Sequence, residues 1–427
     1  MGATSASVIA VDCTRQRAYV PLDFFNDAVH GQVAVFDLSV DPDQGDPLVA
    51  TIDLGMTALP RAAAVAIKSG TVLVLADDVL NTGQLLLINE SDLSITSFPF
   101  PTGSRPDETD GVVVDPKNDT ALVSMNDSLN DCTGGPGSCT GQAVFDLTSH
   151  TFGPLILVGS GVDNFALDAT SDASLAPSDT VTPLLYAVDL SRQSTCTLND
   201  GNISDLNADP DGIAVDPSTS IWVVGSFESP IVTVLNLNDS SFTSGPQCVL
   251  NEGGTPPNSV NYDTQTGAAG MPGAVINPVT HQALLTAEST NQIALLNLPA
   301  TRLGQLTAPS ITSVHSTIPN DPLGNAFDAA DFPYGAAVDS CNNLGYVLDD
   351  LRTFLVQIDL DKFGKNPAGI STPLPAGSCA AATTSFQCDN GSGIRFFPLP
   401  GFADASARTR RAEHIAARKM KKTRRPR

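Results

Sequence analysis

The stretch Asp211–Leu237, DGIAVDPSTSIWVVGSFESPIVTVLNL, holds three short apolar runs. Ile213–Pro217 ends in Asp-Pro, Ile221–Val224 is uninterrupted, and Ile231–Leu237 ends in Asn-Leu. Ser-Thr-Ser and Ser-Phe-Glu-Ser-Pro separate them. Short runs rich in β-branched residues and bounded by turn formers read as consecutive antiparallel strands.

The same unit recurs down the chain. Val8–Asp12, Arg17–Val20 and Gln32–Leu38 form a first copy, and Ala64–Ile67, Thr71–Leu75 and Gln84–Asn89 a second. Gly111–Pro116, Thr120–Val123 and Gln142–Leu147 form a third. The fourth is degraded, with Asn164–Asp168, an unclear middle run and Leu184–Leu190. Asp211–Leu237 is the fifth. Gly273–Pro278, Gln282–Thr286 and Gln292–Leu298 make the sixth; Gly335–Asp339, Gly345–Leu348 and Phe354–Leu360 make the seventh. More polar extended segments follow the third runs, such as Leu48–Leu54 and Ser94–Phe100, and suit an outer fourth strand. Ile394–Leu399 suits the last of these.

A small sheet repeated seven times cannot bury both faces alone, but a closed ring covers each face with a neighbour. The expectation is an all-β fold, a seven-bladed β-propeller with blades of three to four antiparallel strands. A sandwich array would need linkers, and none is visible; a parallel β-helix would have a shorter, stricter period. One propeller should span residues 1–402, with a long loop over Lys365–Ser392, and 403–427 should be a basic, disordered tail.

The repeat resembles the YVTN-type units of seven-bladed propellers, a group with YncE-like secreted proteins and lactonase-like enzymes. Arg17–Val20, Gly212–Pro217, Gly335–Asp339, Gly345–Leu348 and the Asp-Leu or Asn-Leu ends of the third runs carry the resemblance. It covers roughly residues 5–400 as architecture and implies the fold more strongly than any activity.

Charge narrows the partners. The formal net charge is -24, but residues 408–427 hold ten Lys or Arg against Glu413, so the rest of the chain stands at -33. So acidic a body repels nucleic acid and anionic lipid. No apolar stretch nears the ~20 residues that span a bilayer, so a soluble protein is expected.

The eight cysteines, Cys13, Cys132, Cys139, Cys196, Cys248, Cys341, Cys379 and Cys388, form no CxxC pair, and no His stands at a zinc-ligand spacing. Disulfides fit better than metal or redox use, which points to an extracellular or periplasmic compartment. The N-terminal MGATSASVIAVD lacks the features of a signal peptide. Either a leader has been removed from this sequence or the cysteines are not oxidised. Cys13 and Cys341 occupy nearly equivalent places in the first and last copies, so a Cys13–Cys341 bond would lock the ring seam. Cys196–Cys248 would join the segments after copies four and five. Cys132 with Cys139, and Cys379 with Cys388, close short loops.

Standard catalytic signatures are missing: there is no GxSxG, HExxH or phosphate loop, and the five histidines are scattered. Propeller ligands usually sit where first strands start. Five places before the end of each first run stand Ser7, Ala62, Asp110, Asp163, Asp211, Pro272 and Tyr334. Asp110, Asp163 and Asp211 would converge on one sector, and carboxylates that close need a cation or raised pKa values. Ca²⁺ suits such oxygen ligands best. Asn164 and Tyr334 join them as ligand-binding candidates at the channel mouth. Asp before Gly is also ordinary turn chemistry, and exposed carboxylates need no partner. Asp205–Gly212 spaces its oxygens like an EF-hand loop, but Pro210 interrupts it and Ser218 stands where the bidentate Glu belongs. The first expectation is a secreted or periplasmic module that binds a small molecule or protein at the channel mouth without catalysis. The rival is a lactonase-like, metal-dependent hydrolase using the three Asp. A purely structural extracellular module is the third.

Overall fold

The computed structural model describes residues 9–22, 31–40, 46–55, 59–77, 83–101, 104–105, 111–127, 131–132, 135–136, 139–159, 162, 164–178, 184–199, 210–227, 229–237, 258–264, 266, 270–271, 273–287, 292–300, 311–317, 335–348, 354–365, 380–381, 386–387 and 394–399. They form seven antiparallel blades, each built on four strands taken in chain order, with one further strand in blade 3, two in blade 7 and a separate two-stranded ribbon, Asp131–Cys132 with Gly135–Pro136. The first strands are Ala10–Asp12, Leu59–Ala66, Val112–Asp115, Ala166–Asp168, Pro210–Asp216, Gly273–Asn277 and Ala336–Asp339. Each touches the first strand of the next blade, and blade 7 touches blade 1, so the first strands form the inner wall of a closed ring.

The polar segments after the third runs are fourth strands, including Leu48–Asp53, Ile95–Pro99 and, in blade 7, Ile394–Pro398. The unclear middle strand of copy four is Ala173–Ser178, ASLAPS, wholly buried although Pro177 and two serines weaken its strand signal. Blade 7 carries two further short strands, Ala380–Ala381 and Phe386–Gln387, and a one-turn helix, Leu360–Lys365. The two strands fall within Lys365–Ser392, and the rest of that span after Lys365 lies outside the described residues. Residues 403–427 lie outside the described residues.

The interior is seven cores rather than one. Each apolar cluster draws its residues from two adjacent blades, one cluster per seam. Alternation along a strand sends successive side chains to the two neighbours. Trp222 packs in the seam between blades 4 and 5, and Tyr346 in that between blades 7 and 1. Burying each such aromatic contributes roughly 2–3 kcal/mol. The Tyr346 hydroxyl also accepts a 2.8 Å bond from Gln357 Nε2.

Among the described residues no blade borrows a strand from the other end of the chain: the strands of blade 1 are N-terminal and those of blade 7 C-terminal. Among these residues the closing seam therefore has no shared sheet across it. The Cys13–Cys341 disulfide bridges it, with Cα atoms 5.6 Å apart and a sequence separation of 328, as the repeat positions predict. Cys196 is also disulfide-bonded; Cys248, Cys379 and Cys388 lie outside the described residues. Cys132 ends the strand Asp131–Cys132, and Cys139 begins Cys139–Asp146.

Candidate functional site

Two ends of the ring carry polar groups, and they are built differently. At the end where first strands begin, Asp110, Asp163 and Tyr334 lie outside the described residues. Asn164 and Asp211 are described. Asn164 stands just before the first strand of blade 4 and is fully buried. Its Oδ1 accepts the Phe165 N–H at 2.7 Å, and its Nδ2 has no hydrogen-bond partner. Because that backbone group can only donate, the assignment of oxygen and nitrogen is fixed, and the amide's remaining capacity is a donor.

Asp211 lies on the first strand of blade 5, only 2% exposed, where pairing slips between Pro210 and Ile213. Such a bulge re-aims side chains and is common beside binding sites. Glycines let the neighbouring backbone close on this end. Met271 N–H donates to Ser226 O at 2.6 Å, and a Cβ on Gly225 would stand 1.9 Å from the Met271 carbonyl oxygen.

Gln142 is a further buried group here. It pairs with Ser124, whose hydroxyl accepts the N–H of Gly111, the residue after Asp110. Gln142 is fully buried, and neither atom of its amide has a hydrogen-bond partner. It shares a strand face with Val144, which packs in the seam between blades 3 and 4. Aligning first strands alone could not reveal a third-strand residue. The pairing also corrects that alignment: Ala66, opposite Thr71, closes the first strand of blade 2, so Arg61 rather than Ala62 takes the mouth position.

At the opposite end, a tight turn joins first to second strands. Its residue four places after the first-strand end is left-handed in all seven blades: Gln16, Gly70, Asp119, Asp172, Ser220, His281 and Asn343, with φ between +53° and +64°. The Asp or Asn that ends the strand shapes the turn by accepting backbone N–H groups. Asp12 takes those of Thr14 and Arg15 at 2.7 and 3.0 Å, and Asp339 those of Cys341 and Asn342 at 2.9 and 3.1 Å. The left-handed residue then reaches back across the seam. Ser220 Oγ donates to Asp168 at 3.0 Å, His281 Nδ1 lies 2.6 Å from Asp216, and Asn277 donates to Asn343 at 2.8 Å. Gln16 Nε2 lies 3.3 Å from Asp339 across the closing seam. The signal was available in the sequence, since that place holds only Gly or a polar residue in every copy. The first-strand Asp is thus a turn former and seam contact.

Blade 2 ends its first strand in Ala66 and has Gly70 at the left-handed place, leaving room for Arg15 from blade 1. Arg15 Nη1 lies 2.7 Å from Asp12 and 2.9 Å from Glu90, both nearly inaccessible. The Tyr19 hydroxyl donates to Glu90 at 3.0 Å. Burial, then repulsion from Asp12, push the Glu90 carboxyl up to about 7. Burial opposes ionisation of Asp12 too, but bonds from Arg15 and the turn N–H groups outweigh it and hold its pKa below the usual range.

No family model matches the chain, and no curated protein matches it. Solved structures share its fold. It is similar to hydrazine synthase of Kuenenia stuttgartiensis, with a TM-score of 0.55 at 10% identity over 83% of this chain and 96% of that one. A functionally unknown protein from Desulfotomaculum acetoxidans DSM 771 gives 0.51 at 12% identity, over 91% and 98%. The β-propeller domain of Myceliophteria thermophila Cps50 (Swd1) gives 0.52 at 8% identity, over 81% and 94%. At such identities the likeness concerns the fold alone. Among the described residues, no helix is long and apolar enough to cross a membrane.

Proposed function

We propose that this chain is a YVTN-type, YncE-like binding module that works without catalysis in an oxidising compartment outside the cytoplasm. Its ligand, a small molecule or a protein segment, is held where the first strands of blades 3 to 5 begin. The observation that carries this reading is the buried Asn164 amide, whose Nδ2 donor has no protein partner. A buried unpaired donor costs about 1–3 kcal/mol, and an oxygen-bearing ligand such as a carbonyl or carboxylate would offset that cost. Asn164 offers N–H rather than a free oxygen, which suits such a ligand better than direct coordination of a cation.

The lactonase-like reading draws on one observation, the buried Asp211 at the bulge of blade 5. In that reading Asp211, with Asp110 and Asp163, would hold Ca²⁺, and the ion would polarise a carbonyl. Thermal unfolding of the full chain separates the two. A panel of small oxo-acids and lactones is compared with Ca²⁺, since a ligand of the native state raises the midpoint with occupancy. The binding reading expects a shift from an oxygen-bearing compound that Asn164→Leu abolishes. A Ca²⁺ shift lost in Asp211→Asn, with lactone turnover, would replace it by the hydrolase.

A further inference from the structure

The closing seam holds the only group of three cysteine or acidic side chains among the described residues whose ligand atoms all lie within 4.8 Å of one another: Cys13, Asp339 and Cys341. At other seams hydrogen bonds join the residue ending one first strand to the left-handed residue of the next blade, Asp168 with Ser220 and Asn277 with Asn343, as Asp339 is joined to Gln16 here. We propose that this clasp has two forms: a disulfide when oxidised, and a zinc site of two thiolates and one carboxylate when reduced.

Three features support the second form. Tetrahedral zinc with bonds of about 2.3 Å needs donors roughly 3.8 Å apart, so the two sulfurs need separate by less than 2 Å once their bond opens. The Asp339 carboxylate is oriented in advance. Its Oδ1 accepts the N–H groups of Cys341 and Asn342, and its Oδ2 accepts Asn342 Nδ2 at 2.8 Å and, more weakly, Gln16 Nε2 at 3.3 Å, the one bond that zinc on Oδ2 would replace. Outer contacts of this kind fix a ligating carboxylate. Access is also provided, because Cys341 is exposed while Cys13 and Asp339 are buried. A reductant, the cation and a fourth ligand from water can all approach from the Cys341 side.

The chemistry balances. A dithiol delivers two electrons and two protons to the S–S bond, giving two thiols while it becomes a disulfide itself. Zinc then binds the two sulfurs as thiolates and releases the two protons. The seam, which no strand among the described residues shares, thereby stays clasped under reducing conditions as long as zinc is present.

Differential alkylation of the full-length protein tests this without relying on a variant. The chain is reduced with excess dithiol, freed of reductant anaerobically and treated with iodoacetamide, with and without one equivalent of zinc; each cysteine is then read by peptide mapping. Zinc should slow modification of both Cys13 and Cys341 at least tenfold, and a chelator should restore it. Equal rates with and without zinc at either cysteine overturn the proposal. Asp339→Asn keeps the turn's acceptor oxygen and should weaken the protection about tenfold. Undiminished protection in that variant would remove Asp339 from the site and overturn the three-ligand assignment.

Discussion

The turn from Asp12 to Arg17 faces two seams that are held by opposite means. Toward blade 7 it contributes Cys13 to a covalent bond, supported by Gln16. Toward blade 2 it contributes Arg15, which lies between the buried carboxylates of Asp12 and Glu90, and Arg17, which donates to the Glu90 carbonyl at 2.7 Å. One seam is therefore fastened covalently and the other ionically. The difference shows that a repeat fold need not repeat its fastening. The same turn geometry presents whatever side chains each copy supplies.

Breaking the covalent seam should have the largest effect. Chain entropy for a loop of 328 residues makes the disulfide worth on the order of 5 kcal/mol. Cys13→Ser should lose most of that in chemical unfolding under non-reducing conditions, equally at pH 5 and pH 8. A loss under 1 kcal/mol would mean that the apolar contacts of blades 7 and 1 close the ring unaided.

Removing the cation from the ionic seam comes next. Arg15→Met leaves two buried carboxylates facing each other, which should cost about 2 kcal/mol at pH 8, less than a fully buried pair because the guanidinium is half-exposed. The cost should shrink at pH 5, where Glu90 is protonated. A cost independent of pH would show that Arg15 acts through packing alone.

Glu90→Gln sharpens the same contrast from the other side. The native carboxyl is raised to about 7 from an ordinary 4.5, so its stabilising share is complete below about 4.5 and is lost as pH rises through 7. Relative to wild type, the variant should gain on the order of 2 kcal/mol between pH 4.5 and pH 8. Parallel pH–stability curves for the two proteins would refute the burial argument.

The smallest effect belongs to a seam of neither kind. Ser220→Ala removes the bond to Asp168 but leaves Asp168 the N–H of Thr170 at 2.9 Å, and should cost about 1 kcal/mol. Ser220→Gly should cost less, since glycine adopts the left-handed turn freely. If glycine proves the worse of the two, conformational strain at that place is not what the side chain offsets.

How far the ends of the ring were legible differs for physical reasons. The start of the first strands was marked by Asp110, Asp163 and Asp211, and two of these lie outside the described residues. Gln142 was invisible there because its third strand reaches that end only through pairing with Ser124. At the turn end, the Asp closing five of the seven first strands was read as a marker of the repeat. Its second role, toward the next blade, depends on a residue that changes from Ser220 to His281 to Asn343.

By itself the sequence determined what depends on local order: strand periodicity, turn formers, the number of copies and the equivalence of Cys13 with Cys341. Each of these is set by neighbours in the chain or by comparison between copies. Only the tertiary structure decided what depends on burial and on contacts between blades. Glu90 follows a third strand as an unremarkable acid after Asn89, and its pKa is raised because packing against blade 1 buries it and sets it beside Asp12, against the opposing pull of Tyr19 and Arg15. Asn164 reads as a polar residue at a strand start, and its unpaired donor exists because packing removes the water that would otherwise satisfy it.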